Sequence, residues 1–189
     1  MLNVPSALKS DPLKLAAVGM RRKNLLVVEV DVYNAALYLS DAALVVAKAA
    51  KAKDAELKEL PAVLAAHIAA GSSKAQVATK LVFVRDVGQS SVVEAFNDAF
   101  KGCDVAVVEK FKKAYGEAVG VSGMKNGESC TFIWLGGGGG LVVEKGGVVT
   151  PLAKSPEIES RLLKVYLQPG TAVSPELVKC VKEHIQCIA

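Results

Sequence analysis

The stretch that decides the fold lies near the N-terminus, where residues 19–39 read GMRRKNLLVVEVDVYNAALYL. A basic cluster, Arg21-Arg22-Lys23, precedes an apolar and largely β-branched run that is typical of a buried strand. A guanidinium stays protonated in proteins, and a charge that is desolvated without a partner costs several kcal/mol. An inward-facing Arg21 would therefore need an anion, and that anion could be a ligand. The local pattern also fits a second interpretation, in which the basic cluster is a solvated turn.

Tyr33 follows the apolar run and combines an apolar ring with a polar hydroxyl group. On a hairpin with Arg21, this hydroxyl could donate a hydrogen bond to whatever the guanidinium holds. The local sequence is equally consistent with a half-buried tyrosine whose hydroxyl lies in water.

Composition narrows the possible classes of protein. The chain has 189 residues, 51% of them hydrophobic and 22% charged, which predicts one globular domain over residues 1–189. The net charge of +4 comes from basic residues interleaved with acidic ones, so a nucleic-acid partner is not expected. No apolar run approaches the roughly 20 residues that an integral membrane segment needs.

Cysteine and histidine residues give no sign of a metal site. Cys103, Cys130, Cys180 and Cys187 fall on separate segments without the spacing of a zinc site or a disulfide framework. Both histidines stand alone, so no cofactor or metal is expected. Dispersed thiols fit a reducing intracellular compartment, either the cytoplasm or a plastid if a transit peptide has been removed.

The alternation of strand-like and helix-like segments predicts an α+β fold. Strands are expected at residues 14–19, 25–39, 80–85, 129–135, 141–144 and 148–152. The segment at residues 25–39 could also bend near Glu29 into a second hairpin arm. Helices are expected at residues 41–51, 54–70 and 104–119, in a segment that begins at Ser90 or Ser91 and carries Phe96, Asn97 and Phe100, and after the caps Ser155 and Ser174. The sheet should be antiparallel, with helices gathered on its faces.

Two familiar catalytic patterns are not supported. The glycine run at residues 136–140 precedes a strand-like segment rather than a helix, so it is expected to be a hairpin loop and not a dinucleotide cradle. The serines show no nucleophile-elbow sequence, and neither histidine has an acid placed for a relay.

Several segments together resemble the chalcone isomerase family in order and spacing, over about residues 14–184. They are GMRRK at residue 19, VYNAALYL at residue 32, FVRDV at residue 83, GLVV at residue 140, VYL at residue 165 and VSP at residue 173. The resemblance implies an open-faced β-sandwich, in which a large antiparallel sheet is covered by a layer of helices with a ligand cleft between them. It also implies that the hairpin arginine, here Arg21, faces that cleft.

The family contains isomerases, which close a chalcone into a flavanone, and non-catalytic proteins that bind fatty acids. Tyr33 stands where the isomerases have a threonine, and the fatty-acid binders resemble this chain in having tyrosine there. If Asn97 is the family's helix asparagine, Ser90 takes the place of a catalytic-region tyrosine, and Val165 replaces a residue with a hydroxyl group. These departures argue against the cyclisation, which needs ordered hydroxyl groups beside the arginine.

The resemblance therefore implies non-catalytic binding of a fatty acid or a similar amphipathic carboxylate by a monomer. Arg21 and Tyr33 would hold the carboxylate as a charge-assisted donor pair. Phe96 and Phe100 would be available for the acyl chain, and Asn97 is carried over as a further ligand-binding residue. The alternatives are an active chalcone isomerase and an accessory protein that modulates another enzyme.

Overall fold

One antiparallel sheet organises the molecule. The computed structural model describes residues 1, 2, 5, 8, 11–25 and 28–188. Within these residues, six strands pair in chain order: β1 (Lys14–Leu25), β2 (Val28–Leu39), β3 (Ala75–Phe83), β4 (Ser129–Leu135), β5 (Gly140–Lys145) and β6 (Val148–Ala153). The helices of the described residues are α1 (Asp41–Lys53), α2 (Leu60–Ala70), α3 (Gln89–Glu94), α4 (Val105–Val119), α5 (Pro156–Leu167) and α6 (Pro175–His184). The predicted α+β architecture, a large antiparallel sheet covered by helices, is confirmed.

The main core lies between one face of the sheet and the helices. Side chains alternate across a strand, and on β2 the buried ones are Tyr33, Ala35, Leu37 and Leu39. They pack in one cluster with inward-facing residues of β3 and β4 and with the helices. A smaller apolar cluster around Leu13 and Ile133 lies on the other face of the sheet.

The first hairpin differs from the prediction. The basic cluster was expected to precede a strand over residues 25–39 that either runs unbroken or bends near Glu29. Instead, β1 continues through Arg21, Arg22 and Lys23 to Leu25, and β2 begins at Val28, one residue before Glu29. Leu26 and Val27, which the prediction placed within a strand, lie outside the described residues. The cluster is tolerated in a strand because Arg22 is paired with Asp31 across the ladder, so opposite charges meet on neighbouring strands.

The predicted helix starts at Asp104, Ser155 and Ser174 are confirmed at their caps. Neither Ser90 nor Ser91 caps the helix after β3, because α3 begins at Gln89 and both serines lie inside it. The hydroxyl oxygens of Ser155 and Ser174 accept the amides of Ile158 and Leu177, with a proline in the first turn of each helix. Ser40, rather than Asp41, caps α1. The second helix begins at Leu60 instead of residue 54, which puts Pro61 in the first turn, where its missing amide costs nothing.

The segment after β3 is less helical than its periodicity predicts. Helix α3 ends at Glu94, and the next residues wind in turns closed by bonds such as Asn97 N–H to Glu94 O, 2.9 Å, and Cys103 N–H to Phe100 O, 3.0 Å. These tighter turns still bury Phe96 and Phe100 but leave Asn97 exposed. In the part of the chain described above, no helix has the length and apolar character needed to cross a bilayer.

Candidate ligand-binding site

A cavity of about 90 Å³ lies between the inner face of the sheet and the helices. Strands β1 to β3 supply one wall, and α4, α5 and the segment around α3 supply the other. The sheet side is lined by Arg21, Lys23, Val32, Tyr33, Leu81 and Phe83. The helix side includes Ser91, Val92, Phe96, Tyr115, Val165 and Tyr166. An apolar cavity with a few polar groups at one end is the usual form of a small-molecule site.

Arg21 and Tyr33 are direct neighbours across the β1–β2 ladder. The guanidinium carbon of Arg21 lies 5.8 Å from the centre of the Tyr33 ring, within the range of a cation–π contact. Tyr33 is only 8% exposed and packs against Phe83, with ring centres 5.4 Å apart. Burial raises the pKa of the Tyr33 phenol, although the charge and hydrogen bonding of Arg21 act in the opposite direction. The phenol is therefore a neutral hydrogen-bond donor beside a fixed cation at neutral pH.

A β-bulge shapes this part of the hairpin. Arg21 pairs with Tyr33, but Arg22 pairs with Asp31, so Val32 is the extra residue on β2. Bulges bend a strand and re-aim its side chains. As a result, consecutive residues Val32 and Tyr33 both line the cavity.

Helix α6 contacts β1 immediately before Arg21, at Gly19 and Met20. The Ser174 hydroxyl donates to the Met20 carbonyl at 2.9 Å, and the Met20 amide donates to Glu176 Oε2 at 3.1 Å. Gly19 permits the close approach, because a Cβ atom there would lie 2.1 Å from the Leu177 amide nitrogen. The strand that carries Arg21 is thus held in place from outside the cavity.

The two adjacent arginines have different electrostatic partners. Arg22 donates to Asp31 at 2.9 Å and also to Glu176, so its charge is balanced by two carboxylates. These carboxylates raise the pKa of the Arg22 guanidinium. Arg21, which is only partly exposed, forms no ion pair with a carboxylate among residues 11–25 and 28–188. An unbalanced cation at an apolar cavity favours an anionic ligand.

Two further tyrosines line the cavity, Tyr115 and Tyr166, and neither was predicted to bind the ligand. Tyr166 on α5 and Tyr115 on α4 are each 1% exposed. Burial raises the pKa of both phenols well above the ordinary value, and Tyr166 also interacts with the Tyr33 hydroxyl. Tyr115 Oη lies 3.7 Å from the thiol of Cys130, whose own pKa is raised by burial to about 12. All of these groups are neutral at physiological pH.

The structure brings together some of the residues that the sequence predicted. Arg21, Tyr33 and Phe96 line the same cavity. Phe100 is buried behind Phe96, with ring centres 5.7 Å apart, and does not line it. Asn97 is exposed and lies outside the lining.

Two positions that depart from the isomerase pattern, Ser90 and Val165, can be located relative to the cavity. Ser90 and Ser91 are both exposed, and of the two only Ser91 lines the cavity. Val165 lines the cavity next to Tyr166, so α5 still supplies a hydroxyl group, one residue farther along. Tyr115 was identifiable as part of the inner stripe of α4, together with Val108 and Phe111. No local pattern in the sequence indicates that Tyr115 borders the same cavity as Arg21.

An outer cleft of about 400 Å³ adjoins the cavity. Arg21, Ala95 and Val165 line both spaces, and the cleft adds charged side chains such as Arg161, Lys164 and Asp98. Arg21 therefore lies at the mouth of the cavity, where a polar group can reach water. Among the described residues, no group of three or more His, Cys, Asp or Glu side chains could hold a metal ion.

Comparison with solved structures supports the fold. The structure of this chain is similar to the crystal structure of a fatty-acid binding protein from Arabidopsis thaliana, with a TM-score of 0.71. The match covers 93% of this chain and 89% of that chain, at 17% sequence identity. No family model matches the sequence, and a search of curated proteins finds no match.

Proposed function

We propose that this protein binds fatty acids without transforming them and that it belongs to the chalcone isomerase family. The carboxylate would accept hydrogen bonds from Arg21 and Tyr33, while the acyl chain would lie against the aromatic and aliphatic walls. The observation that carries the proposal is the position of Arg21, a cation without a carboxylate partner in the described residues, at the mouth of an apolar cavity.

The energetics fit such a ligand. Hydrogen bonds to charged groups contribute about 1.5–3 kcal/mol, and each buried methylene contributes about 0.8 kcal/mol. The tail would supply affinity, and Arg21 would fix the direction in which the ligand enters. The fold similarity to a fatty-acid binding protein of Arabidopsis thaliana supports the same class of ligand.

The proposal includes the surroundings in which the protein acts. We expect a monomer in a reducing intracellular compartment, the cytoplasm or a plastid. Cys103, Cys130, Cys180 and Cys187 all carry free thiols, which fits such a compartment.

The test combines ligand extraction with a charge-removal variant. Purified protein is denatured and extracted, and the extract is examined for carboxylic acids by mass spectrometry. Delipidated protein is then titrated calorimetrically with fatty acids and with the matching alcohols. Arg21→Leu should weaken acid binding by about 10- to 100-fold and change alcohol binding little.

Arg85→Leu is the matched control, because Arg85 is exposed and lies outside the cavity lining. It should bind acids as the unmodified protein does. Absence of acids from the extract together with no measurable acid binding would contradict the proposal. Equal affinity of the unmodified protein and Arg21→Leu for the acids would contradict the role of Arg21.

A further inference from the structure

We infer, on the basis of the proposed function, that the head group of the preferred ligand carries two negative charges, as a phosphate monoester does, rather than the single charge of a carboxylate. The inference follows from the charged side chains that surround Arg21. Arg21 lines both the cavity and the outer cleft. A head group bound by Arg21 therefore lies where the two spaces meet, whichever of them takes the tail.

A second cation lines the cavity beside Arg21. Lys23 follows Arg21 by two residues on β1, and residues two apart on a strand point to the same face of a sheet. Lys23 is exposed and, like Arg21, forms no ion pair with a carboxylate among residues 11–25 and 28–188. None of the described residues that line the cavity is an aspartate or a glutamate.

The outer cleft adds two further cations, both on α5. Arg161 and Lys164 are three residues apart, so they are neighbours on the helix surface. The contact of Arg161 with Glu157 is long, 3.8 Å, and both side chains are at least 40% exposed, so the pair neutralises little of the charge. Lys164 forms no ion pair within the part of the chain that the structure describes. Among the described residues that line the cleft, Asp98 supplies the one carboxylate.

The charge around Arg21 is far more positive than that of the chain as a whole. The sequence has 23 basic and 19 acidic residues, whereas the described residues that line the two spaces include four cations and one carboxylate. A carboxylate ligand would leave most of this excess positive charge unbalanced. A phosphate monoester carries close to two negative charges above its second pKa of about 6, so it would balance more of the excess.

Ligands that share one tail separate the effect of charge from the effect of shape. Octyl sulfate and octyl phosphate have the same tail and the same tetrahedral head, and at about pH 8 they differ mainly by one negative charge. Each exposed ion pair strengthens binding by up to about fivefold. In isothermal titrations of the delipidated protein at low salt, octyl phosphate should therefore bind about five- to tenfold more tightly than octyl sulfate. Salt screens exposed charges, so this preference should shrink at high ionic strength.

The preference should also follow the protonation of the ligand. At about pH 5 the phosphate monoester carries one charge, like the sulfate, so the preference should appear only as the pH rises through about 6. Lysine and arginine side chains stay charged over this range. The two histidines of the chain, His67 and His184, line neither space. Octyl sulfate, titrated in parallel, records any change in the protein itself.

Removing the two cations of the cleft tests their contribution. The double variant Arg161→Gln/Lys164→Gln should lower the ratio of the two affinities by about two- to fivefold. Both affinities are measured on the same variant, so partial loss of structure would weaken them together and leave their ratio unchanged. Arg85→Gln/Lys110→Gln is the matched control, because it removes the same number of charges from exposed positions that line neither space. Its ratio should equal that of the unmodified protein.

Three results would overturn the inference: equal affinity for octyl sulfate and octyl phosphate at about pH 8, an unchanged ratio in the cleft variant, or an equal fall of the ratio in the control variant. In each case, binding of octanoate that is lost in Arg21→Leu would show that the proposed function still holds. If no octyl ligand binds, the proposed function fails and the inference fails with it.

Discussion

Arg21 and Tyr33 face each other across the first β-hairpin, with the guanidinium carbon 5.8 Å from the centre of the phenol ring. The ring partly compensates a cation that lacks a carboxylate partner in the described residues, because a cation over an aromatic face is stabilised by the ring quadrupole. The Tyr33 hydroxyl stays protonated because burial raises its pKa. The guanidinium and the hydroxyl group together offer hydrogen-bond donors to an anion. When no anion is bound, the contact with the ring stabilises the cation.

Removing the Tyr33 hydroxyl should weaken carboxylate binding and leave the hairpin intact. Tyr33→Phe keeps the ring that contacts Arg21 and Phe83 but loses one donor. We expect an affinity loss of about tenfold, the weight of one hydrogen bond to a charged group. Calorimetry with hexanoate measures it. Tyr38→Phe is the control, since Tyr38 packs on the opposite face of the sheet, and an equal loss in both variants would refute the assigned role.

Ligand binding should depend on the protonation of the ligand rather than of the protein. Arg21 stays charged at all accessible pH values, and the pKa of Tyr33 is raised by burial. A carboxylic acid has a pKa of about 4.3. Hexanoate affinity should therefore be constant from about pH 6 to 9 and fall about tenfold per pH unit below about pH 4. Hexanol, titrated in parallel, should show no such fall, and a fall for both ligands would instead indicate acid-induced unfolding.

Glu176, the ion-paired carboxylate on α6, should make the stability of the folded protein depend on pH in the acidic range. Hydrogen bonds from Arg22 and from the Met20 amide lower the pKa of Glu176 in the folded protein. The unfolded chain therefore binds the proton more readily, and the stabilisation is present above about pH 4.3 and lost as the pH falls through the lowered pKa. Glu176→Gln should destabilise the protein at neutral pH and have a smaller effect at acidic pH.

Urea denaturation at both pH values gives the two free energies of unfolding for this comparison. Glu183→Gln is the control, because the contact of Glu183 with Lys179 is long, 3.9 Å, and exposed. If Glu176→Gln destabilises equally at neutral and acidic pH, the charge of Glu176 is not the cause.

The close contact of α6 with β1 should make Gly19 intolerant of any side chain. A Cβ atom would meet the backbone of Leu177 at 2.1 and 2.6 Å, and backbone cannot turn aside as a side chain can. Gly19→Ala should lower the free energy of unfolding by about 1–3 kcal/mol or more. Gly88→Ala is the matched control, since nothing lies within 4 Å of the added atom. Thermal unfolding compares the two variants, and equal melting temperatures would contradict the close approach.

The buried phenols should impose an alkaline limit on stability. Burial raises the pKa values of Tyr33, Tyr115 and Tyr166, three of the four tyrosines in the chain. Their neutral forms contribute stability fully below the unfolded pKa of about 10, and that contribution is lost as the pH rises through the raised folded values. These three groups should therefore lack phenolate absorbance at about pH 10 in the folded protein and gain it on unfolding. Full phenolate absorbance before any loss of circular dichroism would contradict their burial.

Short-range sequence patterns predicted the helix caps and the strands whose formation depends on neighbouring residues. The caps Ser155 and Ser174, the strands near residues 129–152 and the helix α4 follow from side-chain hydrogen bonding and periodicity. Helical periodicity failed after Glu94, where tight turns bury Phe96 and Phe100 without continuing the helix. Asn97, which the family resemblance carried over as a ligand-binding residue, is exposed in these turns.

The distinction between Arg21 and Arg22 could not be read from their surroundings in the sequence. Arg22 is turned outward and neutralised by Asp31 and by Glu176, which lies 154 positions away. Long-range packing also determines two other features of the site. One is the bulge at Val32, and the other is that Tyr115 and Tyr166 line the same cavity. The family resemblance indicated Arg21 and Tyr33 because it carries such long-range information.

Strand β1 is an edge of the sheet, and α6 occupies its outward backbone groups at Val18 and Met20. Unpaired edge amides are templates on which another chain can add a strand. Detachment of α6 would therefore do two things at once: free the strand that positions Arg21, and expose a surface for fibril-like self-association. Loss of ligand affinity and onset of insolubility should share one structural origin in this protein.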